Sequence, residues 1–153
     1  MAVGAPRHPQ KIAQMERSLR DKAIERWFGM WLRGAGQGLE ELFTPDCVYT
    51  ESWGPEYCGV ESVRHWFEEW NTRARVITWE IKRIDHADDR SYVEWLFEDC
   101  LNDGRVEKFE GISVIEWQGA RIARLKEFGC RIPHYDPYSS GQCPPFPEEK
   151  NWF

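Results

Sequence analysis

This chain of 153 residues lacks several features that identify common protein classes. No apolar run approaches the roughly 18 residues of a membrane-spanning helix, and none near the N-terminus reaches the roughly seven of a secretory signal. Basic residues are not in excess either: 20 Lys and Arg stand against 26 Asp and Glu, for a net charge of −6. This balance argues against a nucleic-acid binder, which needs a concentrated basic surface. We expect a cytoplasmic protein that binds neither membrane nor nucleic acid.

Patterns for metals and common cofactors are also missing. The five cysteines are odd in number, form no CxxC pair and have no histidine at zinc-like spacing. We expect free thiols in a reducing compartment and no metal site, although one or two disulfides stay open. The GxGxxG, GxxxxGK[ST], GxSxG and HExxH patterns are absent, which excludes dinucleotide, P-loop, serine hydrolase and zincin classes. We expect no cofactor.

Aromatic residues, in contrast, are abundant: nine Trp, eight Phe and five Tyr. The length suits one domain with a real core. Residues 1–8 precede any periodicity and are predicted to form a flexible arm. Residues 9–132 are predicted to form the domain. The tail, 133–153, has no helix or strand period, and we expect it to pack on the domain, over a pocket mouth or onto a second subunit.

Hydrophobic periodicity predicts helices first and strands afterwards. Steps of three and four from Ile12 to Trp31 indicate a long amphipathic helix that ends at Gly34, and a short helix around Leu39 is ended by Pro45. One short strand follows and carries Glu51 late in its length. A further amphipathic helix begins after Gly59.

Four β-rich segments separated by turn residues complete the domain. Period-two alternation gives each segment one apolar face, so we expect an antiparallel meander. Helices that cover one face of such a sheet define an α+β fold. The predicted strands are Val76–Ile84, Tyr92–Cys100, Val106–Trp117 and Ile122–Ile132.

The order of these elements resembles the nuclear transport factor 2-like superfamily, and within it the SnoaL-like branch. The resemblance covers about residues 12–132 and implies a cone-shaped fold, in which a bent sheet wraps the helices around a pocket. It also implies a homodimer. Members include isomerases, epoxide hydrolases, cyclases, dehydratases and non-catalytic binding proteins, so the fold constrains the site better than the chemistry. The matching segments are Leu42–Asp46, Gly59–Arg64, Gly111–Glu116 and Ala120–Phe128.

There are three catalytic candidates, all carboxylic acids: the resemblance implies Glu51 and Glu127, and strand parity adds Asp99. Counting from Asp46 places Glu51 at the position of the catalytic base in ketosteroid isomerase-like members, whereas counting back from Gly59 places Thr50 at that position. Glu127 lies in the last predicted strand, at the position where epoxide hydrolase-like members have an acid. Asp99 shares the inward parity of its strand, and a buried Asp needs a partner. A carboxyl among aromatics has a raised pKa and suits base catalysis, but each candidate is alternatively a solvated or salt-bridged side chain.

Other parts of the family machinery are missing. The Arg-x-Asp pair of epoxide hydrolases falls on Trp95 and Phe97, and the oxyanion-hole tyrosine of ketosteroid isomerase falls on Trp27. The dehydratase-like branch uses paired histidines. Here His65 lies off its helix's apolar stripe, and His86 sits in a charged turn that favours a solvated side chain.

We therefore predict an aromatic-lined apolar pocket for a small hydrophobic molecule. Aromatics at helix and strand periods mostly fill core, but this number of rings also suffices to line a ligand cavity. The predicted function is cofactor-independent acid/base isomerisation, cyclisation or dehydration. The alternatives are a non-catalytic module that binds a small ligand or a protein, and a purely structural dimer module. The predicted ligand-binding residues are Trp27, Tyr49, Trp53, Trp66, Trp95 and Phe97.

Overall fold

The computed structural model describes residues 8–146, with side chains from residue 10. Three helices and six strands follow one another along the chain. The predicted α+β layout is confirmed. The elements are α1 (His8–Arg33), α2 (Leu39–Leu42), β1 (Phe43–Thr50), β2 (Glu56–Cys58), α3 (Val60–Arg73), β3 (Ala74–Ala87), β4 (Arg90–Leu101), β5 (Val106–Gln118) and β6 (Arg121–Arg131).

The six strands form one open mixed sheet in the order β2-β1-β6-β5-β4-β3. The four long strands, β3 to β6, pair antiparallel with one another, as the meander prediction requires. The first strand, β1, pairs in parallel with the last, β6, and antiparallel with β2. This arrangement places the end of β1 beside the middle of β6, at Thr50 and Lys126.

Two local predictions differ from the structure. Pro45 does not end α2, because the helix stops at Leu42 and Pro45 lies exposed within β1. A register shift between Phe43 and Val48 accommodates it, as is usual for proline in a strand. The three-residue strand β2 was not predicted, since it is too short to show a period.

The long amphipathic helix is present, but only part of its apolar stripe is buried. Ile24, Trp27 and Met30 in its second half are inaccessible to solvent or nearly so, and α1 packs mainly on β3. Ile12 and Met15 in the first half are 47% and 61% exposed. The stripe therefore contributes core packing only where the helix lies over the sheet.

The core between helices and sheet is built largely from aromatic rings. Trp27 contacts Trp31, Phe43 and Tyr49 edge-on, with centroids 5.6, 4.9 and 5.8 Å away. Such edge-to-face pairs add stabilisation beyond the area they bury. On β5, Gly111 permits close packing, because a Cβ there would lie 2.5 Å from the Trp95 ring.

The tail from 133 to 146 contains no helix or strand. Tyr135 and Tyr138 in it are more than half exposed. The rest of the tail, 147–153, and the arm up to residue 7 lie outside the described residues, and the predicted arm's last residue, His8, begins α1. Between residues 8 and 146, no helix is both long and apolar enough to cross a membrane.

Candidate active site

One cavity of about 370 Å³ opens between the helices and the concave face of the sheet. Its volume lies within the range of small-molecule sites. Helices α1 and α3 contribute tryptophans, β1 and the turn after it contribute Tyr49 and Glu51, and β3 to β6 contribute the opposite wall. The lining residues are Trp31, Tyr49, Glu51, Trp53, Trp66, Trp70, Arg73, Ala74, Trp79, Trp95, Phe97, Asp99, Leu101, Glu107 and Glu127.

Glu127 and Tyr49 form a hydrogen-bonded pair on the wall of this cavity. The Tyr49 hydroxyl donates to Glu127 Oε1, and Tyr49 is fully buried. Desolvation raises the pKa of Glu127 to about 8, the donated hydrogen bond partly opposes this rise, and the charge of Glu51 adds to it. Burial and the neighbouring Glu127 likewise raise the pKa of Tyr49. At neutral pH, Glu127 is therefore mainly a neutral carboxylic acid.

Glu51 has a different environment in the same cavity. It follows β1 at the start of a turn in which its backbone N–H bonds to the Pro55 carbonyl at 2.9 Å. The Tyr57 hydroxyl donates to Glu51 Oε1 at 2.6 Å, and the Trp53 indole N–H donates to Oε2 at 3.0 Å. Burial raises its pKa, but these two hydrogen bonds stabilise the carboxylate and oppose the rise.

Asp99 lies on β4 opposite Glu107 of β5 and is 5% exposed. Burial raises its pKa to about 6, and the charge of Glu107 adds to the rise, while the Glu107 backbone N–H and the charge of Arg73 lower it. Asp99 Oδ1 is buried and has no hydrogen-bond partner among residues 10–146.

The aromatic candidates divide between cavity and core. Five of the six line the cavity: Tyr49, Trp53, Trp66, Trp95 and Phe97. Trp27 does not contact it, because it is fully buried in the ring cluster beneath Tyr49. Trp27, which the resemblance matched to the oxyanion-hole tyrosine of ketosteroid isomerase, therefore serves packing here.

Several lining residues were not singled out by the sequence. Trp31, Trp70 and Trp79 follow helix and strand periods, which do not separate core from cavity wall. Arg73 and Glu107 lie at the ends of their helix and strand, where periodicity does not indicate which residues line a cavity. Tyr57 is close to Glu51 in sequence, across a tight turn, and this closeness is the signal that could have indicated their hydrogen bond.

A Ser-His-Asp arrangement lies outside this cavity. His86 is half-buried rather than solvated, so that prediction is wrong: its Nδ1 lies 2.7 Å from Ser91 Oγ and its Nε2 lies 2.8 Å from Asp21 Oδ1. Ser91 is fully buried and also accepts the Trp117 indole N–H at 2.7 Å. A substrate cannot reach such a hydroxyl, so these contacts serve to tie α1 to the β3–β4 hairpin.

One set of metal-ligand types occurs within the described part of the chain. Ligand atoms of Glu110, Cys130 and His134 lie within 4.8 Å of one another near the end of β6. His134 already binds Glu110 at 2.9 Å, and both His134 and Cys130 are exposed. An exposed ion pair accounts for this arrangement without a metal.

Fold and site together define an α+β protein with an acid-containing cavity between helices and sheet. The model of the SnoaL-like domain family matches residues 24–125, two thirds of the chain, so the protein belongs to the SnoaL-like family. Among curated proteins, none matches this sequence.

Solved structures with the same fold share little sequence with this chain. A candidate isomerase from Bacillus subtilis has a TM-score of 0.68 at 15% identity, covering 75% of this chain and 88% of that one. An epoxide hydrolase of M. tuberculosis has 0.67 at 14%, covering 74% and 84%. A Catenulispora acidiphila protein with a ketosteroid isomerase-like fold, in complex with trimethylamine, has 0.61 at 16%, covering 69% and 83%. At these identities the likeness shows the fold alone.

Proposed function

We propose that this protein is a cofactor-independent acid/base catalyst that isomerises, cyclises or dehydrates a small hydrophobic molecule in its cavity. The observation that carries the proposal is a pair of carboxyl groups on one cavity with different surroundings. Two hydrogen-bond donors hold Glu51, and one phenol holds the more strongly desolvated Glu127. When environments push two pKa values apart in this way, one group suits the base and the other the acid.

In this proposal Glu51 takes a proton from a carbon next to a substrate carbonyl, and Glu127 gives its proton to the carbonyl oxygen. The C–H bond breaks, an O–H bond forms, and an enol results. In an isomerisation, Glu51 then returns its proton to another carbon while the enol O–H returns its proton to Glu127. Both carboxyl groups regain their starting states, so no cofactor is needed for the cycle.

Unpaired indole groups support a ligand that offers an oxygen. The Nε1 atoms of Trp31, Trp66 and Trp79 are buried without a hydrogen-bond partner in residues 10–146. A buried donor without an acceptor costs free energy, so a ligand oxygen at this wall would be favoured. Donors near a developing oxyanion also stabilise the transition state. Among the structural neighbours, the isomerase and hydrolase names and the bound small amine agree with a small-molecule site.

The second candidate is a non-catalytic module that binds a small ligand. The aromatic share of the lining favours it, since rings bind a ligand whether or not a proton moves. We also propose a homodimer in a reducing compartment, with Cys47, Cys58, Cys100, Cys130 and Cys143 free. Analytical ultracentrifugation would test the dimer, which is overturned if only monomer sediments at micromolar concentrations.

The two functions differ in hydrogen exchange at carbon. A panel of small cyclic ketones and enones is incubated with the protein in D₂O, and NMR follows deuterium entering positions next to the carbonyl. We expect exchange with the native protein, at least a hundredfold loss in Glu51→Gln and Glu127→Gln, and no loss in Glu94→Gln, a control exposed on β4. Binding of panel members without exchange above the buffer rate would favour the non-catalytic module.

A further inference from the structure

Asp99 is a buried acid that the described chain satisfies only in part, through the Glu107 backbone N–H. It lines the cavity at 5% exposure, and its Oδ1 accepts no hydrogen bond from residues 10–146. Burying a carboxylate without a positive partner is costly. Arg73 is the cation that lines the cavity, but its Nε donates to Glu69 at 2.9 Å and its side chain is 54% exposed. Asp99 is thus a cavity-lining acid with one buried oxygen that no described residue satisfies.

The charges around the cavity favour a positive ligand over a negative one. Four carboxyl groups line it, from Glu51, Asp99, Glu107 and Glu127, against the single cation Arg73. Asp99 and Glu107 face each other across β4 and β5, so their end of the cavity carries two acids. An anionic ligand would meet repulsion there, whereas an ammonium group would relieve it.

Aromatic rings form the corner next to Asp99. The Trp79 ring stands nearly perpendicular to Trp95 and Phe97, at 89° and 86°, with centroids 6.0 and 5.5 Å away. Phe97 lies two residues before Asp99 on the same face of β4. A cation within about 6 Å of several ring centroids is attracted to their faces, and perpendicular rings let it contact more than one.

We propose that the molecule bound in this cavity carries an organic ammonium group, seated against Asp99 in the corner of Trp79, Trp95 and Phe97. The inference rests on the proposed function for the other end of the same molecule, which reacts at Glu51 and Glu127. It narrows the substrate class to small amines with a carbonyl group. The apolar rings hold the methyl or methylene groups around the nitrogen, and Asp99 supplies the opposite charge.

Choline and its neutral isostere 3,3-dimethylbutan-1-ol provide the direct test, because they differ in charge at nearly constant shape. Tryptophan fluorescence and isothermal titration calorimetry measure both affinities at pH 7.5. We expect choline to bind at least tenfold more tightly than the alcohol. Asp99→Asn should remove most of that preference, while Glu98→Gln, a control in which the lost acid pairs with Lys108, should keep it.

A second variant keeps the test sound if Asp99→Asn folds poorly. Phe97→Leu preserves apolar volume but removes a ring face, so choline affinity should fall several-fold while the alcohol affinity changes little. Equal affinity of the two probes, no choline binding at 50 mM, or a preference that survives Asp99→Asn would each overturn the inference. If the native protein shows deuterium exchange but no preference for choline, only the ammonium inference is overturned. If it prefers choline but shows no exchange, only the acid/base proposal is overturned.

Discussion

Replacing Glu127 by Gln should stabilise the protein at neutral and alkaline pH, and the gain should grow with pH. The native carboxyl has a pKa of about 8, against an ordinary value of 4.5 in the unfolded chain. Between these values the native state holds a proton that the unfolded chain has lost, so the free energy of unfolding falls as pH rises. The contribution of this proton to the free energy of unfolding is complete below pH 4.5 and is lost above pH 8. Gln carries no titrating proton and escapes this loss.

The expected size follows from about 1.36 kcal/mol for each pKa unit, which gives about 4–5 kcal/mol across the full window. Weakening the contact with Tyr49 costs about 1 kcal/mol at every pH, because it removes one hydrogen bond of the usual strength. We therefore expect Glu127→Gln to be slightly less stable than the native protein at pH 5 and about 3–4 kcal/mol more stable at pH 9.

Urea unfolding at pH 5, 7 and 9 measures this difference directly. Glu94→Gln serves as the matched control, since it makes the same chemical change at an exposed site on the sheet. A Glu127→Gln difference that stays constant from pH 5 to 9 would refute the reasoning. It would mean that the native carboxyl ionises in its ordinary range, and that Glu127 is not an acid at neutral pH.

Three further predictions concern the remaining polar groups. Tyr49→Phe removes the hydrogen bond that lowers the pKa of Glu127, so the midpoint of the pH-dependent stability loss should move above pH 8; urea unfolding across pH 6–10 measures it. The free energy of unfolding of Asp99→Asn, relative to that of the native protein, should be about 1–3 kcal/mol higher at pH 8 than at pH 4, because the native pKa of about 6 exceeds the ordinary 3.8. No such increase at pH 8 would show that Asp99 is a paired carboxylate. His86→Ala should lose about 1–3 kcal/mol in denaturant unfolding without changing choline affinity, since its two contacts join α1 to a hairpin; an altered affinity would contradict that structural role.

The fold was accessible from the sequence because its long elements repeat strong patterns. The alternation of Val93, Trp95 and Phe97 determined which face of β4 is buried, and Asp99 followed by parity. The family model that matches residues 24–125 agrees with the resemblance seen in the motifs. Short elements carry no period, so β2 and the strand position of Pro45 were missed.

The candidate site was only partly accessible, because a linear pattern does not distinguish a core ring from a wall ring. Trp27 and Trp31 both face inward from α1, yet only Trp31 reaches the cavity. The partners of the acids were also hidden: Tyr49 meets Glu127 through the parallel pairing of β1 and β6, which depends on the whole sheet. His86 was expected to be solvated because its neighbours in sequence are charged, whereas its contacts are Asp21 of α1 and Ser91 of β4.

Carbon-13 NMR titration of the glutamate side chains tests the central claim most directly, because it reads the protonation of each carboxyl. Spectra of the native protein, Glu51→Gln and Glu127→Gln assign the two signals. The account predicts that Glu127 titrates near pH 8 and that Glu51, whose carboxylate accepts two hydrogen bonds, loses its proton before Glu127 does. Titration of both groups below pH 5 would contradict it.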